Sequence, residues 1–213
     1  MGCVIGPLVI CGYLIEEEKV EKLKHWNVRD SKLVSPKRRG FLYGKLKELA
    51  DDMIILKISA MDIDKNRTIS NLNKLWHKRV AEIINSLRPG HVFIDALEAN
   101  TGKCAEKLRK NLNEELKAVA MTCENAADRK YPVVGAASII AKVVRDAEIR
   151  RLHEEHGNFG SGYTSDPRTV TFLKNWIEKN KHFPSFVRHS WITARELKKN
   201  KIQTRLKDFS NGE

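Results

Sequence analysis

The chain has 213 residues, 41% of them hydrophobic, which is enough to bury a core in one large domain or in a domain with a small appendage. Lys and Arg number 39 against 27 Asp and Glu, a net charge of +12. That excess of one sign points to a polyanionic partner, whereas a charge-rich surface alone would account only for the 31% of charged residues.

The first fifteen residues are uncharged and mostly apolar from Cys3 to Ile15. They lack a basic leader and are too short to span a bilayer. Met1-Gly2 is not followed by the Ser or Thr at position 6 that myristoylation favours. The segment 7–15 reads instead as a buried strand. Glu16 to Lys24 is charged and reads as a short helix. Ser35-Pro36 caps a helix over Lys37 to Ala50, with Phe41, Leu42, Leu46 and Leu49 on one side. Met53 to Ser59 is a second strand. Asn71 to Leu87 is a long helix, with Leu72, Leu75, Val80, Ile83, Ile84 and Leu87 at helical spacing.

Pro89-Gly90 ends that helix, and His91-Val-Phe-Ile-Asp95 is a short buried strand closed by a carboxylate. Lys103 to Leu116 is helical, Ala118 to Thr122 is the next strand, and Gly135 to Leu152 is a strong helix. The alternation of strands and helices argues for an α/β domain. From Asn158 a Gly-rich loop leads to Asp166-Pro167, a helix start with proline in the first turn. That helix runs to about Asn180, and another begins near Ser190. The basic tail from Lys198 is expected to fray. The cysteines Cys3, Cys11, Cys104 and Cys123 show no zinc-ligand spacing and read as reduced, mostly buried thiols of a cytoplasmic protein.

Four features could carry chemistry. Asp95 ends an apolar strand, where α/β sheets place their sites, although the plainer role is to cap the next turn. Asp128 lies in Glu124-Asn-Ala-Ala-Asp128 before the long helix. By position alone it also passes for a helix-initiating residue. Two carboxylates from a strand end and a loop could share a hard divalent cation such as Mg²⁺. The third feature is Phe159-Gly-Ser-Gly-Tyr163-Thr-Ser-Asp166-Pro-Arg168-Thr169. Its glycines admit close backbone approach, and its tyrosine can stack on a sugar or base, or simply decorate a turn. The fourth is Asp30-Ser31-Lys32 with Lys37, Arg38 and Arg39 behind it, which could meet phosphates, although a solvated helix start suits the last three better.

Together these segments resemble ribonuclease HII of the archaeal type, from Gly2 to about Leu197. The resemblance rests on Gly2-Cys-Val-Ile-Gly-Pro-Leu-Val-Ile10, Val28-Arg-Asp-Ser-Lys32, Asn71-Leu-Asn73, Phe93-Ile-Asp95, Ala127-Asp128, Gly135 through Asp146, Gly160 through Thr169 and Phe183 through Ala194. It implies a ribonuclease H-like mixed sheet flanked by helices over 1–155, a substrate-binding loop and C-terminal helices over 156–200, and a basic tail over 201–213. It also implies hydrolysis of the RNA strand of RNA–DNA hybrids, and cutting 5′ of ribonucleotides embedded in DNA. The family uses four carboxylates and two divalent ions, Mg²⁺ or Mn²⁺, and leaves 5′-phosphate and 3′-hydroxyl ends.

By that resemblance Asp95 and Asp128 are catalytic metal ligands. Tyr163 stacks on the sugar of the deoxynucleotide that follows the ribonucleotide. Lys32, Asn73, Arg188 and Thr193 hold backbone phosphates, and Gly2 also belongs to the substrate-binding residues. Lys142, Arg145 and Asp146 match the family but read as the solvated face of a helix. The other two carboxylates belong to an Asp-Glu-Ala-Gly-Arg-Gly segment whose last Gly aligns with Gly2. The expectation is therefore a chain that starts after its first central strand, with impaired catalysis and hybrid binding alone as the alternative. Ala126 stands where the family usually has lysine. A monomer is expected, with no membrane association and a weak sliding-clamp candidate at Gln203-Thr-Arg-Leu206 to Phe209.

Overall fold

The computed structural model describes residues 2–28 and 34–210, with side chains as far as Gln203. The elements in chain order are β1 (Leu8–Leu14), α1 (Val20–His25), α2 (Pro36–Leu49), β2 (Asp52–Ile58), α3 (Ala60–Ile69), α4 (Leu72–Leu87), β3 (His91–Asp95), α5 (Thr101–Arg109), β4 (Ala120–Glu124), α6 (Ala127–Lys130), α7 (Pro132–His156), α8 (Pro167–Lys179) and α9 (Ile192–Ser210). Among the described residues the strands form two pairs, β1 with β2 and β3 with β4, rather than one continuous sheet.

Local chemistry explains most of the helix starts. Ser35 accepts from the Arg38 amide and Pro36 occupies the first turn of α2. Asn71 accepts from the Lys74 amide to open α4. Asp166 accepts from the Arg168 amide ahead of Pro167 in α8. Each side chain satisfies an amide that the helix itself leaves without a partner. Helix α4 ends at Arg88 in a left-handed conformation, with its amide on the Ile84 carbonyl, just before Pro89-Gly90.

Three elements depart from the sequence expectation. Helix α3 carries no clear sequence signal, because Asp62, Asp64, Lys65, Asn66 and Arg67 mask its apolar period; Ser59 caps it by accepting from the Asp62 amide. Helix α5 stops at Arg109 rather than Leu116, and a 3₁₀ turn at Glu114–Leu116 takes up the remainder. Helix α9 continues past Lys198 to Ser210. The segment from Lys198 to Ser210 is free of Gly and Pro and rich in Lys, Arg, Gln and Leu, all good helix formers.

Contact density divides the chain into two units, one of Met1–Leu8, Ile58–Ser70 and Arg145–Glu213, the other of Val9–Lys57 and Asn71–Val144. The first unit packs Val4, Ile5, Ile149, Leu152, Phe159, Leu173, Ile177, Phe183 and Val187 around a common core. The second packs Tyr13, Leu23, Val28, Leu42, Leu46, Ala136, Ile139 and Ile140. Burial of each such aliphatic side chain contributes on the order of 1.5–3 kcal/mol.

Two glycines stand inside α2, Gly40 and Gly44, each costing about 0.5–1 kcal/mol relative to alanine. A Cβ at either position would meet nothing within 4 Å, so packing among the described residues does not require them. No described helix is long and apolar enough to cross a membrane.

Candidate active site and substrate loop

In the second unit β3 and β4 run parallel, with Asp95 opposite Glu124. Val92 and Ile94 are buried, so alternation along β3 turns His91, Phe93 and Asp95 to the other face. There His91 stacks on Phe93 with centroids 4.3 Å apart, and Phe93 meets Tyr131 at 4.8 Å. Asp95 Oδ1 accepts from the Ala127 amide at 3.1 Å, which ties the strand-end carboxylate to the residue beside Asp128. Asp128 itself is buried in the single turn of α6.

The backbone around the pair is fastened at several points. The Ala96 amide donates to the Glu124 carbonyl at 2.8 Å. Asn125 Nδ2 donates to the carbonyls of Ala96 and Glu98, both at 2.9 Å. Glu124, the third carboxylate of the neighbourhood, is already engaged by Lys130 Nζ at 2.7 and 2.9 Å and by the Tyr131 hydroxyl at 2.6 Å. Lys130 first, then Tyr131, holds its carboxyl below the usual range.

The donor chemistry fits a hard divalent cation, since both groups offer carboxylate oxygens and such cations retain several waters. Among the described residues no group of three or more His, Cys, Asp or Glu is arranged to hold a metal. Asn73 lies half-buried on α4 in the same unit, with its carbonyl taking the His77 Nδ1 bond at 2.6 Å. Lys32 falls outside the described residues.

The first unit holds the tyrosine loop. Gly160 and Gly162 have φ of +80° and +78°, and a Cβ on Gly162 would meet the Ile5 carbonyl at 3.0 Å, so no other residue fits without strain. The Ser161 amide donates to Asp166 Oδ2 at 2.7 Å, and the Gly162 amide donates to Thr169 Oγ1 at 3.0 Å. The Gly162 carbonyl accepts from the amides of Val4 and Ile5. Cys3 bridges Tyr163 and Ile5 bridges Val187, both antiparallel. The segment from Cys3 to Gly6 is therefore built into the tyrosine loop before β1 begins. Gly2 is exposed at its start.

Arg145 corrects the sequence reading. It is 7% exposed, not solvated. Its NH2 donates to the Ser161 carbonyl at 2.5 Å, and its guanidinium lies 4.7 Å from the centroid of the Tyr163 ring. Burial raises the Tyr163 phenol above its ordinary value, which keeps it neutral. Arg188 is also inside, at 0% exposure. Its Nε donates to the Gly6 carbonyl at 3.1 Å, and its guanidinium stacks 4.8 Å from the Trp191 ring. Burial lowers its pKa. Asp64 on α3 accepts from the amides of His189 and Ser190 at 2.7 and 3.0 Å, fixing the turn that precedes Thr193, which is half-buried on α9. Asn125, Arg145 and Asp64 escaped sequence reasoning. Only Arg145 carried a signal, its place in the long motif from Gly135 to Asp146.

The sequence model described as Ribonuclease HII matches residues 1–194. The chain belongs to the ribonuclease HII family. Ribonuclease HII of Thermococcus sibiricus is 43% identical over 214 residues, 98% of this chain and 93% of the relative. The crystal structure of ribonuclease H2 from Pyrococcus horikoshii superposes with a TM-score of 0.86 at 36% identity, covering 93% of both chains. RNase HII of Archaeoglobus fulgidus, solved as a PCNA:RNase HII complex, gives 0.80 at 39% identity and covers 89% of this chain and 90% of that one. Ribonuclease HII enzymes are type 2 ribonuclease H endoribonucleases, and the mixed α/β architecture found here is theirs.

Proposed function

We propose that the protein hydrolyses the RNA strand of RNA–DNA hybrids and cuts 5′ of ribonucleotides embedded in DNA. The observation that carries this reading is the coupling of Asp95 to the Asp128 turn through the Ala127 amide. Asp95 and Asp128 would hold Mg²⁺ or Mn²⁺, two ions by the resemblance. When bound, such ions activate a water for attack on the phosphodiester and steady the leaving 3′ oxygen, giving 5′-phosphate and 3′-hydroxyl ends. The chain's part is to aim the carboxylates, which the Ala127 amide on Asp95 and the Asn125 bond to the Ala96 carbonyl support.

Tyr163 would stack on the sugar of the deoxynucleotide after the ribonucleotide, with Arg145 behind its ring. The 2′-hydroxyl distinguishes RNA from DNA at such a site. Gly2, Lys32, Asn73 and Thr193 would contact the phosphate backbone. Arg188 belongs to the same group by resemblance, and its bond to Gly6 supports a role in shaping the segment that starts at Gly2. A clamp contact would fall at Gln203 to Phe209 on α9, whose side chains from 204 onward lie outside the described residues. The PCNA-bound relative motivates that assignment. We place the protein in the cytoplasm as a monomer.

Asp128→Asn is expected to abolish cleavage of a duplex carrying one embedded ribonucleotide, in Mg²⁺ or Mn²⁺, while hybrid binding persists. Unchanged cleavage would remove Asp128 from the site. If the wild-type chain binds the hybrid yet does not cut it, hybrid binding alone is the function.

A further inference from the structure

The proposed chemistry leaves unused a basic, aromatic ridge on α2. This helix carries Lys37, Arg38, Arg39, Lys45 and Lys47 against one carboxylate, Glu48. Arg39 is buried, with its NH1 on the Val34 carbonyl. Lys37, Arg38 and Lys47 are exposed and Lys45 is half-buried. None of these four is paired with a carboxylate among the described residues, although ion pairs are common elsewhere on α1 and around it, as at Lys24–Glu21 and Lys19–Asp51.

Apolar surface lies among these charges. Phe41 is 63% exposed. Lys45 Nζ stands 4.7 Å from the Phe41 ring centroid and 5.1 Å from that of Trp26, so one ammonium joins two aromatic rings. Arg38 NH2 donates to the Trp26 carbonyl at 3.1 Å and binds the preceding segment to the same ridge. Gly40 and Gly44 leave the helix surface bare between these side chains, and a Cβ on either would meet nothing. A helix in water gains from alanine at such positions, so the glycines point to something approaching from outside.

We propose that this face of α2, with Trp26, docks the sugar–phosphate backbone of the nucleic-acid duplex. The proposal rests on the nuclease reading and extends its contact surface beyond the carboxylate pair. Charge complementarity selects the occupant: four cations without carboxylate partners among the described residues suit a polyanion, and the net charge of +12 has the same sign. An exposed phenyl ring can cover a sugar face, and bare helix backbone lets the strand come close. Contacts of this kind position a duplex without reading its sequence.

The test is fluorescence anisotropy of the full chain with a labelled RNA–DNA hybrid, titrated at several salt concentrations. Lys37→Ala and Lys45→Ala should each flatten the slope of log affinity against log salt by roughly 0.9, and each should weaken binding about 5- to 10-fold near 0.1 M salt. Phe41→Ala should weaken binding with little change in that slope. Gly44→Ala separates docking from helix stability. It should raise the melting temperature and yet weaken binding, whereas a purely structural position would show only the first effect. Wild-type binding combined with unchanged slopes and affinities in all four variants overturns the α2 proposal and leaves the nuclease reading standing. A wild-type chain that does not bind the hybrid overturns both.

Discussion

Ala126 stands at φ +54°, a left-handed conformation, immediately before the turn that carries Asp128. An L-residue held there costs roughly 1–2 kcal/mol. The bonds of Asn125 and Ala127 on either side hold it in place. Ala126→Gly should therefore stabilise the protein by about 0.5–1 kcal/mol, part of the relief being lost to the freer unfolded chain; chemical denaturation would measure it. Asp166 offers a pH test. Its bonds from Arg168, then from the Ser161 amide, hold its carboxyl well below the ordinary 3.8. A depressed folded-state pKa contributes stability above 3.8 that is lost as pH falls through the folded-state value. Melting temperatures should fall along that acid limb, and Asp166→Asn should flatten it.

At the scale of elements, the packing of β1 against α4 is the most exacting contact. A Cβ on Gly12 would collide with the buried Ile83 and come within 2.9 Å of Cδ1 of the half-buried Leu87, both on α4. Gly12→Ala should destabilise by about 1–3 kcal/mol through overpacking, read from the denaturation midpoint. Most elements were legible in the sequence because their signals are local. Asn71, Ser35 and Asp166-Pro167 mark starts, and the apolar period of α4 marks its face. Helix α3 was not legible, since Asp64 looks like a surface residue until its partners, 125 and 126 residues away, are known.

The molecule as a whole keeps its four cysteines as thiols, with Cys3 and Cys104 buried and Cys11 and Cys123 half-buried. Burial pushes the Cys11 thiol up to about 12, which makes it a poor nucleophile at neutral pH. Reductant should not change the melting temperature, and thiol titration should reach the buried Cys3 and Cys104 only on unfolding. A shift of melting temperature with reductant would contradict this.

The sequence by itself determined the family, the α/β class, most helix starts, and Asp95, Asp128 and Tyr163 as candidate residues. These rest on local order along the chain, on caps, periods and motifs. Only the tertiary structure decided that Glu124 is taken by Lys130 and Tyr131, that Arg145 lies against Tyr163, and that Cys3 to Gly6 pairs with the tyrosine loop. The physical reason is distance along the chain. A side chain's burial and its hydrogen-bond partner depend on what the fold brings to it, and Arg188, 182 residues from Gly6, looks the same in sequence whether it meets solvent or that carbonyl.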